Sequence, residues 1–321
     1  MEKIKGISYG YMAKRGDYRS PQGTQSQELM YELGNNWICL PVVNNQRDIN
    51  STDIYDNYHN PSDRDLTAVI ERAHSKNVKV CLKPMLNSGD YHWRAHIGSG
   101  WRQDNKIDPT WDLWFKNYTA FMLYYAEFAE ETGCEMLCIG CEMLGTEHRT
   151  NDWTTLIRRL RSCFSGKLIY NTNHDEEEGS CWFDLLDYIG TSAYYAVGVN
   201  GNDKAEMVKE WEKVRHRLND LSDRKGKQYV FMEIGCRSAH GCAVMPWDFE
   251  QTNLPYDEQE QADFYESCLD VFMDDPHFAG VFWWDWPTFT YDTAEEAKTD
   301  AGFNIHLKKA EEVLKNWYFR S

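Results

Sequence analysis

The 321-residue sequence has no apolar run approaching the ~20 residues of a bilayer-spanning helix, and its opening MEKIKGISYGY has no hydrophobic signal region. These absences argue against a helical membrane anchor and set the expectation of a cytoplasmic protein, or a secreted one if a leader has been removed. Positive charge is also short: 34 Lys and Arg against 51 Asp and Glu leave a net charge of −17. A surface of that sign repels nucleic acid and anionic membranes, so neither is expected as a partner, whereas neutral substrates are indifferent to it. No Gly-rich phosphate loop follows the first apolar segment, which removes the main signature of a doubly wound nucleotide-binding sheet. There is no Pro- or Ser-rich linker, internal repeat or low-complexity tract, so residues 1–321 are expected to form one domain, and a monomer.

Of the ten cysteines, Cys39, Cys81, Cys138, Cys236 and Cys268 fall within apolar runs, where reduced thiols serve as small hydrophobes. Cys134, Cys138 and Cys141 are closely spaced. They lie along one expected strand, however, where side chains at odd separations face opposite ways, and no His has zinc-like spacing to them. No metal or organic cofactor is expected. Aromatic residues are abundant instead, with 13 Trp and 19 Tyr, and many stand outside the strand-like runs, in YHWRAHIGSGW, MPWDF and FWWDWPTFTY. Flat rings in several loops are what a sugar-binding cleft needs, because the apolar face of a pyranose stacks on them.

Short apolar, β-branched runs recur along the chain: IKGISYG (4–10), WICLPVV (37–43), VKVCLKPML (78–86), EMLCIGCE (135–142), KLIYNTN (167–173), DYIGTSAYY (187–195), QYVFMEIG (228–235) and GVFWWDW (280–286). Helical patterns lie between them. SDRDLTAVIERAHSKN opens on Ser62 as an N-cap with acids in its first turn, and a long helix runs from Pro109 to Gly133. Two further stretches, starting at Lys204 and Asp257, carry the i, i+3, i+4 apolar stripe of amphipathic helices, and LKKAEEVLKNWYF closes the chain. Alternating β and α segments imply parallel strands joined by helical crossovers, and eight such pairs fit an α/β fold of the (β/α)8 TIM-barrel type with extended loops at its C-terminal face.

Active sites of this barrel sit at the strand C-termini. The strands there end on Lys83 and Asn87, Glu142, Asn173, Tyr194 and Tyr195, Glu233, and the tryptophans Trp283, Trp284 and Trp286. Glu142 and Glu233 each finish an apolar strand, the fourth and the seventh, whose ends can face one another across a closed barrel. Two carboxyl groups so placed are the minimum equipment for cleaving a glycosidic bond, one neutral to protonate the leaving oxygen and one charged to attack or activate water. A pair of rim glutamates held by Lys or Arg is the alternative. Glu135 opens its strand at the opposite face, Glu147 is expected in a polar loop, and DEEEG (175–179) in a solvated one. His92, His96 and His174 are expected as hydrogen-bonding loop residues.

The segments CIGCEM, YNTN, DYIGTSAYY, FMEIG, FWWDW and AGFNIHLKKAEEVL, with GISYGY, NWICLPV, VCLKPM and WRAHI, resemble glycoside hydrolase family 113 of clan A, in order and over nearly the whole chain. The resemblance implies a (β/α)8 barrel and retaining β-1,4-mannanase activity on mannan, glucomannan or mannooligosaccharides. It also implies Glu142 as acid/base, Glu233 as nucleophile, Tyr194 hydrogen-bonded to the nucleophile, and Trp284 as the floor beneath the reacting sugar. Trp283 and Trp286 are expected to border that floor, one of them packing behind the barrel. Trp93 and Trp247 are loop candidates for neighbouring subsites. Many clan A enzymes carry an Asn immediately before the acid/base, in contact with the sugar 2-hydroxyl; here Cys141 stands there, as fits the family, and Lys83, Asn87 and Asn173 are the polar candidates for that contact. Met85 replaces the family's His in LKPH. A β-glucanase, an exo-acting β-mannosidase and a carbohydrate-binding barrel without catalysis are the alternative readings.

Overall fold

The computed structural model describes residues 2–57, 59–104, 106–179, 181–198, 203–250 and 253–320. Eight parallel strands close into a barrel in chain order: β1 (Ile4–Tyr9), β2 (Trp37–Gln46), β3 (Lys79–Ser88), β4 (Met136–Cys141), β5 (Lys167–Asn173), β6 (Ile189–Ser192), β7 (Tyr229–Ile234) and β8 (Phe278–Trp286). Closure follows from β8 pairing with β1, Ile4 opposite Gly280 and Ile7 opposite Trp283. Because successive strand residues point to opposite faces, alternate positions fill the barrel. Ile4, Cys39, Cys81, Met136, Cys138, Ile169, Val230, Met232 and Phe282 form this buried plug, while their neighbours Ile38, Leu40, Val80, Leu137, Leu168 and Phe231 belong to the larger core beneath the helices.

Six of the nine described α-helices open on a side chain that accepts from a free N–H of the first turn. In α1 (Pro21–Tyr31) the Ser20 side chain accepts from the Gly23 N–H, and in α2 (Asp63–Ser75) Ser62 and Asp65 cap one another reciprocally. α3 (Pro109–Thr132) opens on Asp108 and Pro109 and stops at Gly133, whose φ of 75° needs no β-carbon. α4 (Leu144–Glu147), α5 (Thr150–Cys163), α6 (Lys204–Lys225), α7 (Glu258–Phe272), α8 (Ala294–Ala297) and α9 (Lys309–Tyr318) complete the set among the described residues. None of the described helices is long and apolar enough to cross a membrane.

Three local expectations are corrected. The crossover from β5 to β6 is not a helix but a 3-10 turn at Cys181–Leu185. Within DEEEG, Asp175, Glu176, Glu178 and Gly179 are exposed as expected, but Glu177 is buried: it accepts from Thr191 Oγ1 at 2.9 Å and from the Tyr195 hydroxyl, and pairs with Arg217 at 2.7 Å. Third, the β4–β5 pairing shifts register between Cys138 and Cys141. Both thiols therefore reach the barrel interior, despite their odd separation, whereas Cys134 precedes β4 and packs in the outer core.

Candidate active site

Glu233 stands near the end of β7, and its main chain is held by the Ala193 N–H at 2.6 Å. The β6–β7 pairing shifts register between Phe231 and Glu233, which interrupts the alternation, so Glu233 follows Met232 inward to the barrel mouth, where it is buried. Lys83 from β3, itself fully buried, is ion-paired to Glu233 Oε1. Asn171 Nδ2 from β5 donates to the same oxygen at 3.0 Å and the Cys141 thiol from β4 at 3.3 Å. Tyr194 donates its hydroxyl to Oε2 at 3.3 Å. Burial works to raise the Glu233 pKa, but the Lys83 ammonium, with Arg94 and the Cys141 hydrogen bond adding to it, holds the carboxyl below the ordinary glutamate value. Burial likewise disfavours the Lys83 charge, and Cys141 and Glu233 beside it more than offset this. The result is a carboxylate kept ionised in a dry setting.

Glu142 follows β4 directly and adopts a left-handed backbone, φ 52°, a region that residues with a β-carbon rarely occupy. Two bonds fix it. The Glu142 N–H donates to the Asn171 carbonyl at 2.7 Å, and the next N–H, of Met143, donates to the Tyr170 hydroxyl at 3.0 Å. Tyr170 in turn donates to Glu147 at 2.8 Å. Glu147, expected in a polar loop, is thus a buried residue of α4, and burial lifts its pKa to about 7. The left-handed turn aims Glu142 outward: its side chain is 14% exposed against 7% for Glu233. Its Oε2 receives Trp93 Nε1 at 3.3 Å and Arg94 at 3.5 Å. Arg94 also donates to Cys141 Sγ at 3.2 Å and to Asn87 Oδ1 at 2.8 Å. Cys141 and Arg94 therefore link the surroundings of both carboxyls.

The structure brings Lys83, Tyr194 and Glu233 together, and Asn87, Trp93 and Glu142 through Arg94. Trp93 offers its indole N–H to a carboxylate as well as an exposed face. Trp284 is half-buried, 4.5 Å between ring centroids from Tyr11 and with the Lys83 ammonium 5.8 Å from its ring. Neither flanking tryptophan borders it. Trp283 stacks on Tyr265 of α7 at 3.9 Å and Trp286 donates to Ser26 of α1 at 2.9 Å, both buried behind the barrel. Trp247 is exposed and stacks on His174 at 5.6 Å. Asn173 is buried with its Oδ1 lacking a hydrogen-bond partner, and does not reach Glu233 in the way Asn171 does.

Sequence reasoning missed Asn171, Arg94 and Asp285. Asn171 lies two residues before Asn173, on the same strand face and one step deeper, so period-two alternation marks it. Arg94 sits in WRAHI without a strand to index it. Asp285 follows Trp284 across a cis peptide, and burial, Asp300 and Glu233 lift its carboxyl to about 7.

The site thus places a buried, ionised carboxylate near a more accessible carboxyl, within a rim of exposed aromatic rings. The model of glycoside hydrolase family 113 matches residues 7–308. A solved structure described as a complex of a family 113 β-1,4-mannanase superposes with a TM-score of 0.90 at 30% identity, covering 100% of both chains. A family 113 β-mannanase from Alicyclobacillus acidocaldarius, in complex with ManMIm, gives 0.89 at 31% identity over 99% of this chain and 97% of that one. A β-glucuronidase from Faecalibacterium prausnitzii, 12% identical with a TM-score of 0.63 over 98% of this chain and 48% of that one, shares the fold alone. No curated protein sequence matches. A family match over nearly the full barrel, joined to that carboxyl arrangement, places the chain in glycoside hydrolase family 113.

Proposed function

We propose that the chain is a retaining β-1,4-mannanase in which Glu233 is the nucleophile and Glu142 the acid/base. The observation that carries this reading is the inequality of the two carboxyls. Glu233 is buried and held ionised by Lys83, while Glu142 is turned towards the cleft beside Trp93 and Arg94. Solved relatives described as β-1,4-mannanases support the sugar. Three donors crowd Glu233 Oε1, whereas among the described residues Oε2 carries only the Tyr194 hydroxyl, so we assign Oε2 as the attacking oxygen. It bonds to the anomeric carbon of a mannosyl unit as the carbon–oxygen bond to the leaving sugar breaks, and the Glu142 proton goes to that oxygen. Glu142 then takes a proton from water, the water oxygen bonds to the anomeric carbon, and Glu233 is released. Trp284 lies under the reacting sugar, with Trp93 and Trp247 flanking along the cleft.

The product profile on mannan, mannooligosaccharides and cello-oligosaccharides tests the substrate, and proton NMR of the first product, expected as the β-anomer, tests retention. Glu142→Gln should lose ~10²–10⁴-fold on natural substrates. It should lose far less in the glycosylation step of an activated aryl mannoside, whose leaving group needs little protonation. Glu233→Gln should fail on both. Equal losses of the two variants on the two substrate types would reverse or remove these roles.

A further inference from the structure

Outside the carboxyl site, two buried thiols lie in contact. Cys242 Sγ donates to Cys236 Sγ at 3.1 Å, and both residues are buried. About 1 Å of approach separates this contact from the ~2.05 Å of a disulfide. We propose that Cys236 and Cys242 are an intramolecular disulfide site, closed by exchange with a low-molecular-weight disulfide.

The backbone on either side of the pair is already fixed. The Cys236 carbonyl accepts from Gln261 Nε2 at 2.9 Å, and the Ser238 N–H donates to the Gly302 carbonyl at 3.0 Å. The Cys242 N–H donates to the Ala239 carbonyl at 3.1 Å. Glu260 accepts from the N–H groups of Gly241 at 2.7 Å and Ala243 at 3.1 Å. The two sulfurs are therefore held together by contacts that do not involve them, which is what makes a bond between them favourable once formed. The closed loop joins β7, which carries Glu233, to Ala243, whose carbonyl accepts from Val197 and Gly198 at 3.0 and 2.8 Å. The bond would staple the rim between β6 and β7 without touching any donor to Glu233.

In the exchange, one thiol loses its proton and its sulfur attacks the small disulfide, forming a mixed disulfide and expelling one small thiolate. The second thiol, likewise deprotonated, attacks the protein sulfur of that mixed disulfide and expels the second thiolate. The two protons end on the two small thiols, so the protein pair is oxidised by two electrons and the small disulfide is reduced by two. Burial lifts both thiols above the usual cysteine value, so the folded protein reacts slowly and the bond forms most readily as the chain folds.

The test uses the full chain, denatured and reduced, then refolded in a mildly alkaline buffer of oxidised and reduced glutathione. It is then alkylated and mapped by mass spectrometry without reduction. One bond, Cys236–Cys242, is expected, with the loss of two hydrogen masses. A melting temperature ~2–6 °C above the reduced form is also expected, and dithiothreitol should reverse it. Cys236→Ser and Cys242→Ser should each lack both the bond and the shift. Recovery of both residues as alkylated free thiols would overturn the proposal. So would a bond involving another pair, such as the barrel neighbours Cys39 and Cys81, or a glutathione adduct persisting on one of the two.

Discussion

Burial alone lifts a carboxyl pKa, because it disfavours the charged form, and at Glu233 the Lys83 ammonium reverses that effect. The dependence is testable in Lys83→Met, which keeps the apolar stem and removes the cation. With its folded pKa below the unfolded value, Glu233 contributes stability that is present above the unfolded pKa and is lost as pH falls through the folded one. In Lys83→Met burial acts nearly unopposed, so the acid limb of kcat/KM should move to higher pH and the wild-type gain in stability near neutrality should disappear. Removing one partner of a buried ion pair costs ~3–5 kcal/mol, which thermal unfolding at neutral pH should register. Profiles of kcat/KM and of melting temperature against pH, on one preparation, check both. An unmoved acid limb in a folded variant would mean that Lys83 does not hold Glu233 ionised.

The segment β4–α4–β5 does for Glu142 what Lys83 does for Glu233, through backbone rather than charge. A left-handed residue persists only where its surroundings hold it, and here the Tyr170 hydroxyl accepts from Met143 and donates to Glu147. Tyr170→Phe leaves one N–H and one carboxyl without that partner, a loss of ~1–3 kcal/mol. With Glu142 in its proposed role as acid/base, the variant should lower kcat more than KM, since a displaced Glu142 then misplaces the proton and not the sugar. Steady-state kinetics with natural and aryl substrates check this: a variant that unfolds earlier yet keeps full kcat would reduce Tyr170 to packing. The same segment shows what sequence can and cannot deliver. Strand positions were legible because period-two apolar runs and capping residues such as Ser62, Pro109 and Gly133 are local signals, and Glu142 and Glu233 were legible as acids ending such runs. Glu147 and Glu177 read as solvated acids because their partners, Tyr170, Arg217 and Tyr195, lie on other elements. Arg94 escaped for the same reason, and Cys141 turned inward only because a register shift intervenes.

At the scale of the whole molecule, a closed barrel leaves no strand edge exposed, and its mouth carries the exposed rings of Tyr91, Trp93, Trp247 and Phe289 beside a net charge of −17. Ring stacking on a neutral sugar gains nothing from that charge, while an anionic polymer must approach against it. The screening length falls from about 30 Å at 0.01 M salt to about 3 Å at 1 M. Across that range, kcat/KM on a neutral mannooligosaccharide should change by less than about twofold, the response of an encounter without net charge–charge work. On a carboxymethylated mannan, kcat/KM should start lower and rise severalfold as salt screens the repulsion, largely through the association step. Initial rates at four or five salt concentrations on the two substrates give the comparison directly. Equal salt responses would show that the molecular field does not reach the cleft, leaving the aromatic and hydrogen-bonding groups of the rim as the sole basis of discrimination between neutral and anionic polysaccharides.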